Sequence, residues 1–154
     1  MTLPERIVSG GQTGGDRAAL DWALARGVPC GGWCPRGRRA EDGAIDPRYP
    51  LAETPSEDYA QRTEWNVRDS DATVILSLAP VLTGGSRLTR ELAAKHGKPC
   101  LHLHPAVDAP RLLAAFVREH GVRVLNVAGP RASNEAGVYR YVTEVLDAAF
   151  GGAG

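Results

Sequence analysis

The residues with the most chemical potential sit near the start of the chain. Ser9-Gly10-Gly11-Gln12-Thr13-Gly14-Gly15-Asp16-Arg17 follows the short apolar run Ile7-Val8 and leads straight into the Ala- and Leu-rich segment Ala18 to Ala23. This order reads as strand, tight turn, helix. Such a turn points backbone N–H groups and the positive end of a helix dipole at whatever lies above the strand, and glycine lets a ligand approach the main chain. The chemistry is anion binding, most commonly of phosphate. The spacing is neither Gly-x-Gly-x-x-Gly nor a P-loop, so neither fingerprint applies. A purely structural glycine turn is the alternative.

The pattern recurs twice. Thr83-Gly84-Gly85-Ser86, with Thr89, separates the apolar run Ala72 to Leu78 from the helical stretch Leu88 to Gly97; Gly129-Pro130-Arg131-Ala132-Ser133 ends the run Arg123 to Ala128. The near-continuous apolar run 72–78 suggests a central parallel strand buried on both faces. Further strands are expected at 29–35 and 98–104, and helices at 16–26, 56–70, 109–120 and from Val138 to Phe150. Five strands alternating with helices imply an α/β fold, a Rossmann-like, doubly wound, mostly parallel five-stranded sheet with helices on both faces. In such a sheet all strand C-termini lie on one edge, so the three turns gather where ligands bind. They bring the backbone amides of Gly10, Gly11, Gly14, Gly84, Gly85 and Gly129. They also bring the side chains of Gln12, Thr13, Asp16, Thr83, Ser86, Thr89 and Ser133. Arg17 and Arg131 add guanidinium groups, which grip phosphate by charge-assisted paired bonds.

Residues 36–56 show no periodicity, and a loop that long is expected to be functional. Arg36, Arg38 and Arg39 leave a strand's C-terminal end there. On the 56–70 helix Arg62 and Asn66 share a face; Arg62 either reaches the ligand edge or pairs with Asp58. The 154 residues suit one domain, residues 1–150, with 151–154 as a flexible tail. Lys plus Arg equals Asp plus Glu at 18 each, which disfavours nucleic acid and anionic membranes as main partners. No leader or spanning segment is evident, and the cytoplasm is the expected location. An odd three cysteines, Cys30, Cys34 and Cys100, argue against a disulfide framework. Cys30 and Cys34 lack the usual zinc spacing, and no metal site is expected. His102 and His104 alternate to one strand face.

The chain resembles the circularly permuted YpsA branch of the SLOG superfamily, also catalogued as molybdenum (molybdopterin) carrier proteins. The resemblance rests on Ser9 to Leu20, Gly32-Trp33-Cys34-Pro35 with Arg39 to Gly43, Arg62 to Asp71, Leu82 to Gly85 and Asn126 to Arg131. Gly129-Pro130-Arg131 is similar to the first glycine turn of the superfamily's DNA-processing members, displaced from front to back. The resemblance implies binding of a phosphorylated nucleotide or nucleotide-derived ligand, molybdopterin or a purine nucleotide among the candidates, and homo-oligomers. It also implies an alternative. Phosphoribohydrolases of the superfamily use Pro-Gly-Gly-x-Gly-Thr-x-x-Glu to cleave an N-glycosidic bond, and Thr83 to Glu91 keeps the two glycines and Glu91 but has Arg87-Leu88 for the second Gly-Thr. Glu91 and Glu41 are the candidate acid–base residues. A single-stranded nucleic-acid module is the third reading.

Overall fold

The computed structural model describes residues 3–151. A five-stranded sheet runs in the order β2-β1-β9-β7-β8, every neighbouring pair parallel. Its strands are β1 (Arg6–Val8), β2 (Cys30–Gly31), β7 (Ala72–Leu76), β8 (Cys100–Leu103) and β9 (Val124–Ala128). Helices α1 (Gly15–Arg26), α4 (Ala109–His120) and α5 (Val138–Phe150) pack together on one face; α2 (Tyr59–Arg68) and α3 (Gly84–Lys95) pack together on the other. This is the doubly wound α/β arrangement that the alternation of elements implies. Tail residues 152–154 lie outside the described residues.

The reasons are local. In β7 every residue is buried, so the strand carries no polar face to solvent. Val74 and Leu76 meet Leu125 and Val127 of β9, Leu113 and Val117 of α4, and Val142 and Leu146 of α5 in one cluster. Each such side chain contributes about 1.5–3 kcal/mol by leaving water. Helix α4 starts with Pro110 in its first turn and stops at Gly121 in the left-handed conformation, which the residue types dictate. On the opposite face of β9 buried Asn126 Nδ2 donates to Thr73 Oγ1 at 3.2 Å, and Ser9 Oγ donates to the backbone carbonyl of Val127 at 2.6 Å.

Three expectations change. The 29–35 strand breaks at Gly32, after which β3 (Trp33–Cys34) leaves the main sheet and pairs with β6 (Ala52–Glu53). Residues 36–56 are therefore no open loop. They fold into a strap holding a β4 (Arg39–Ala40) and β5 (Gly43–Ala44) hairpin. Arg38, at φ 53°, donates to the carbonyls of Ile45, Asp46, Tyr49 and Leu51 at 2.8–3.2 Å. Ile45 and Tyr49 bury themselves against Leu20 and Cys34. Helix α2 begins at Tyr59, not Ser56, because the Ser56 hydroxyl accepts from Asp58 N at 3.0 Å and shapes the turn before the helix.

Candidate functional site

Over the C-terminal ends of β1, β9 and β7 lies a cavity of about 550 Å³. All three glycine turns reach it. Gly10, Gln12 and Asp16 line it from the first, Thr83 to Ser86 and Thr89 from the second, and Gly129, Arg131 and Ser133 from the third. Arg62 and Asn66 line it from α2. Gly11, Thr13, Gly14, Arg17, Arg39, Glu41 and Glu91 do not line it.

Four amides of the first turn and the start of α1 are taken by protein acceptors. Gln12 N donates to Asp16 Oδ2 at 3.3 Å, Thr13 N to Gln12 Oε1 at 3.0 Å, Gly15 N to the Pro130 carbonyl at 3.1 Å and Arg17 N to the Gln12 carbonyl at 3.0 Å. Asp16, in the first turn of α1, turns its carboxylate back onto the amide of Gln12 ahead of the helix. Asp16 also pairs with Arg62 Nη1 at 3.2 Å, with side chains 6% and 11% exposed. Burial pushes the Asp16 carboxyl above its ordinary range, and the neighbouring Arg62 charge only partly pulls it back. Arg62 thus reaches the ligand edge and pairs with Asp16, not Asp58. Its Nη1 occupies the place a Cβ on residue 10 would need, which accounts for Gly10.

Helix α3 meets the cavity with its first turn, Gly84 to Ser86, and its N-cap Thr83, like the N-caps of the other helices, makes no side-chain capping bond. A Cβ added at Gly84 or Gly85 would meet nothing within 4 Å, so these glycines face free space. Arg131 lies on the same cavity with its guanidinium 5.3 Å from the Tyr59 ring centroid, and Arg62 lies equally far from that ring.

The remaining sequence candidates hold the walls. Gly11, at φ 80°, has the strap against it, a Cβ there falling 2.6 Å from Leu51 Cδ1. Gly14 and Gly15 abut the backbone of 129–132. Arg17 donates to the Gly11 carbonyl at 2.9 Å and pairs with Asp42 at 2.9 Å. Glu41 is a clasp: its carboxylate accepts from the Thr13 hydroxyl and from the Ser133 amide and hydroxyl, tying the strap to two of the turns. Those bonds, Ser133's first, hold its carboxyl below the usual range. Asn66 is committed to β3, accepting from Trp33 N at 2.8 Å and donating to its carbonyl at 3.0 Å. Arg39 is exposed. Glu91 is exposed on α3 and paired with Arg87 at 3.2 Å.

Polar lining residues that were not singled out as site residues from sequence include Tyr59, Ser77, Asn126 and Glu135. Ser77 Oγ donates to the Ala79 carbonyl at 2.7 Å and lies 2.6 Å from His102 Nε2. Glu135 accepts from Leu78 N at 2.6 Å and Ala79 N at 3.0 Å, closing the chain after β7. A lone Asn in the apolar run of β9, and a Ser at the C-terminal end of β7, were visible signals; Glu135 carried none.

An all-parallel sheet with a cavity over the reversal of its strand order defines a Rossmann-like α/β domain of the doubly wound type. The model of the circularly permutated YpsA SLOG family matches residues 7–150, and the chain belongs to that family. The permutation explains why the C-terminal strand β9 sits between β1 and β7. A crystal structure of a protein from Syntrophus aciditrophicus SB, described as a "putative molybdenum carrier protein", is similar at 43% sequence identity, covering 96% of this chain and 95% of that one with a TM-score of 0.93. No curated protein matched. Among the described residues no helix is long and apolar enough to cross a membrane.

Proposed function

We propose that the cavity binds a phosphorylated nucleotide or nucleotide-derived ligand, with its phosphate at the N-terminus of α3 and beside Arg131. The observation that supports this reading is the first turn of α3 lining the cavity, where Gly84 and Gly85 leave room for an anion against the main chain. The cavity volume suits a mononucleotide-sized molecule. The Syntrophus protein's description as a molybdenum carrier adds molybdopterin, a phosphorylated pterin, to this class. Molybdenum would then arrive within the ligand as cargo. Carriage is favoured over N-glycosidic hydrolysis, because Glu91 points to solvent with Arg87 and Glu41 is engaged by Thr13 and Ser133.

Gly85→Val tests it. The new side chain meets no protein atom within 4 Å of its Cβ, so the fold survives while the anion's space is filled. In calorimetry the native protein is expected to bind ribose 5-phosphate, and Gly85→Val to lose at least about tenfold in affinity at an unchanged melting temperature, the loss of roughly one charge-assisted bond. Equal affinities would move the phosphate elsewhere. Release of free base from nucleoside monophosphates would replace carriage by hydrolysis.

A further inference from the structure

Phosphate binding leaves the other polar end of the cavity unexplained. Gln12 is 4% exposed, and its Oε1 accepts from both Thr13 N at 3.0 Å and Glu41 N at 2.8 Å. Those two bonds settle the orientation of the amide, so Nε2 is the donor end. That Nε2 has no partner, and neither does Arg62 Nε; both are shielded from solvent. An orphaned buried donor costs about 1–3 kcal/mol, a cost with no return in a merely structural wall. The two residues meet at Asp16, whose Oδ2 accepts from the Gln12 backbone amide at 3.3 Å and from Arg62 Nη1 at 3.2 Å.

Two N–H donors without partners, in residues lining one cavity, call for an acceptor on the ligand. Its charge is constrained too. Arg62 is already neutralised by Asp16, and a second anion beside that carboxylate would be repelled, so the acceptor is uncharged. A ring nitrogen offers one lone pair, whereas a carbonyl oxygen offers two and can take both donors. We propose that Gln12 and Arg62 form an oxo-recognising subsite, selecting phosphorylated ligands whose heterocycle carries a ring carbonyl over those carrying an amino group at that place. This rests on the phosphate reading above. The Gln12 and Arg62 side chains adjust to bring the donors onto the oxygen, a shift of the kind ligands commonly cause in side chains. The strap takes part, because Glu41 N donates to Gln12 Oε1 and so leaves Nε2 as the unpaired donor end of the amide.

The test uses three probes on the full chain: ribose 5-phosphate, inosine 5′-monophosphate with its 6-oxo group, and adenosine 5′-monophosphate with a 6-amino group in the same place. Calorimetry is expected to show all three binding, the inosine nucleotide at least about tenfold tighter than the adenosine one, the scale of two donors paired rather than blocked. Gln12→Leu is expected to erase that preference. The side-chain amide resonances of Gln12 in the native protein, expected to move downfield with the inosine nucleotide and not with ribose 5-phosphate, give a readout that survives a misfolded variant. Ribose 5-phosphate binding with equal affinities for the two nucleotides, or a preference for adenosine, overturns the oxo subsite and leaves the phosphate reading standing. Failure of all three to bind overturns both.

Discussion

Arg62→Met removes the cation from a carboxylate that has almost no other way to be charged. The exposures of the two side chains, 11% and 6%, leave little water to screen the loss. Taking one partner from a buried pair costs about 3–5 kcal/mol when the other must stay ionised. Asp16 need not stay ionised, and this gives the variant its signature. Burial already holds the Asp16 carboxyl above its ordinary value of 3.8, so in the native protein this group favours folding fully below 3.8 and less as pH rises through its folded value. Without Arg62, the largest influence lowering that folded value is gone, and the amide of Gln12 is the main one left. The folded value climbs further, and the variant keeps losing stability over a pH range where the native protein has stopped. Each pH unit in that range adds up to about 1.4 kcal/mol to the gap. Urea unfolding of the ligand-free protein, followed by fluorescence of buried Trp22, is expected to give a gap of about 3–5 kcal/mol at pH 8 that shrinks toward pH 5. The double variant Asp16→Asn with Arg62→Met, which leaves no buried charge, should recover most of it. A gap below about 1 kcal/mol at pH 8, the range of solvated surface pairs, would refute the buried pair. So would a gap that ignores pH.

The clasp predicts a different pH response. Glu41 is held below its ordinary value of 4.5, so its contribution is present above 4.5 and lost as pH falls through the lower folded value. Glu41→Gln is expected to speed amide hydrogen exchange in residues 38–46 above that range; unchanged rates would mean the strap is held by Arg38 and its apolar contacts alone. Gly129→Ala would place a Cβ 2.6 Å from the Leu76 carbonyl oxygen and 3.3 Å from Gly15 Cα, backbone atoms that cannot swing away. Overpacking of this kind costs about 1–3 kcal/mol, so the melting temperature is expected to fall by several degrees, and an unshifted transition in calorimetry would show that the turns are not in contact.

The fold was legible because its strongest signals are local. The apolar run 72–78 contains β7, and Pro110 and Gly121 punctuate α4 so clearly that its bounds are read directly. The strap was not legible, because its order comes from Arg38 reaching four carbonyls between residues 45 and 51 and from Ile45 and Tyr49 burying against Leu20. None of that has a period. The site was legible as three turns on one edge, but not the division of labour among them. Glycines and a helix start look alike in sequence whether the amides are free or spent; only the fold shows Asp16 turning back onto Gln12 N. Arg62 had the ligand edge or Asp58 in prospect, and spacing along the chain carried no sign of its tertiary partner Asp16, 46 residues away.

That division of labour can be read in the glycines themselves. At Gly14, Gly15 and Gly129 a Cβ would strike backbone, so these residues let two turns pack main chain to main chain and carry Gln12 and Arg131 as one body. At Gly84 and Gly85 a Cβ would strike nothing. Packing gives no reason for glycine at Gly85, whose φ is not in the left-handed region, and alanine there would favour the helix by about 0.5–1 kcal/mol. A helix start that forgoes this stability beside an open cavity fits the proposed anion site. On that proposal the first turn, the one with most glycines, is scaffold and selector, and the second, with fewer, is the anion's place.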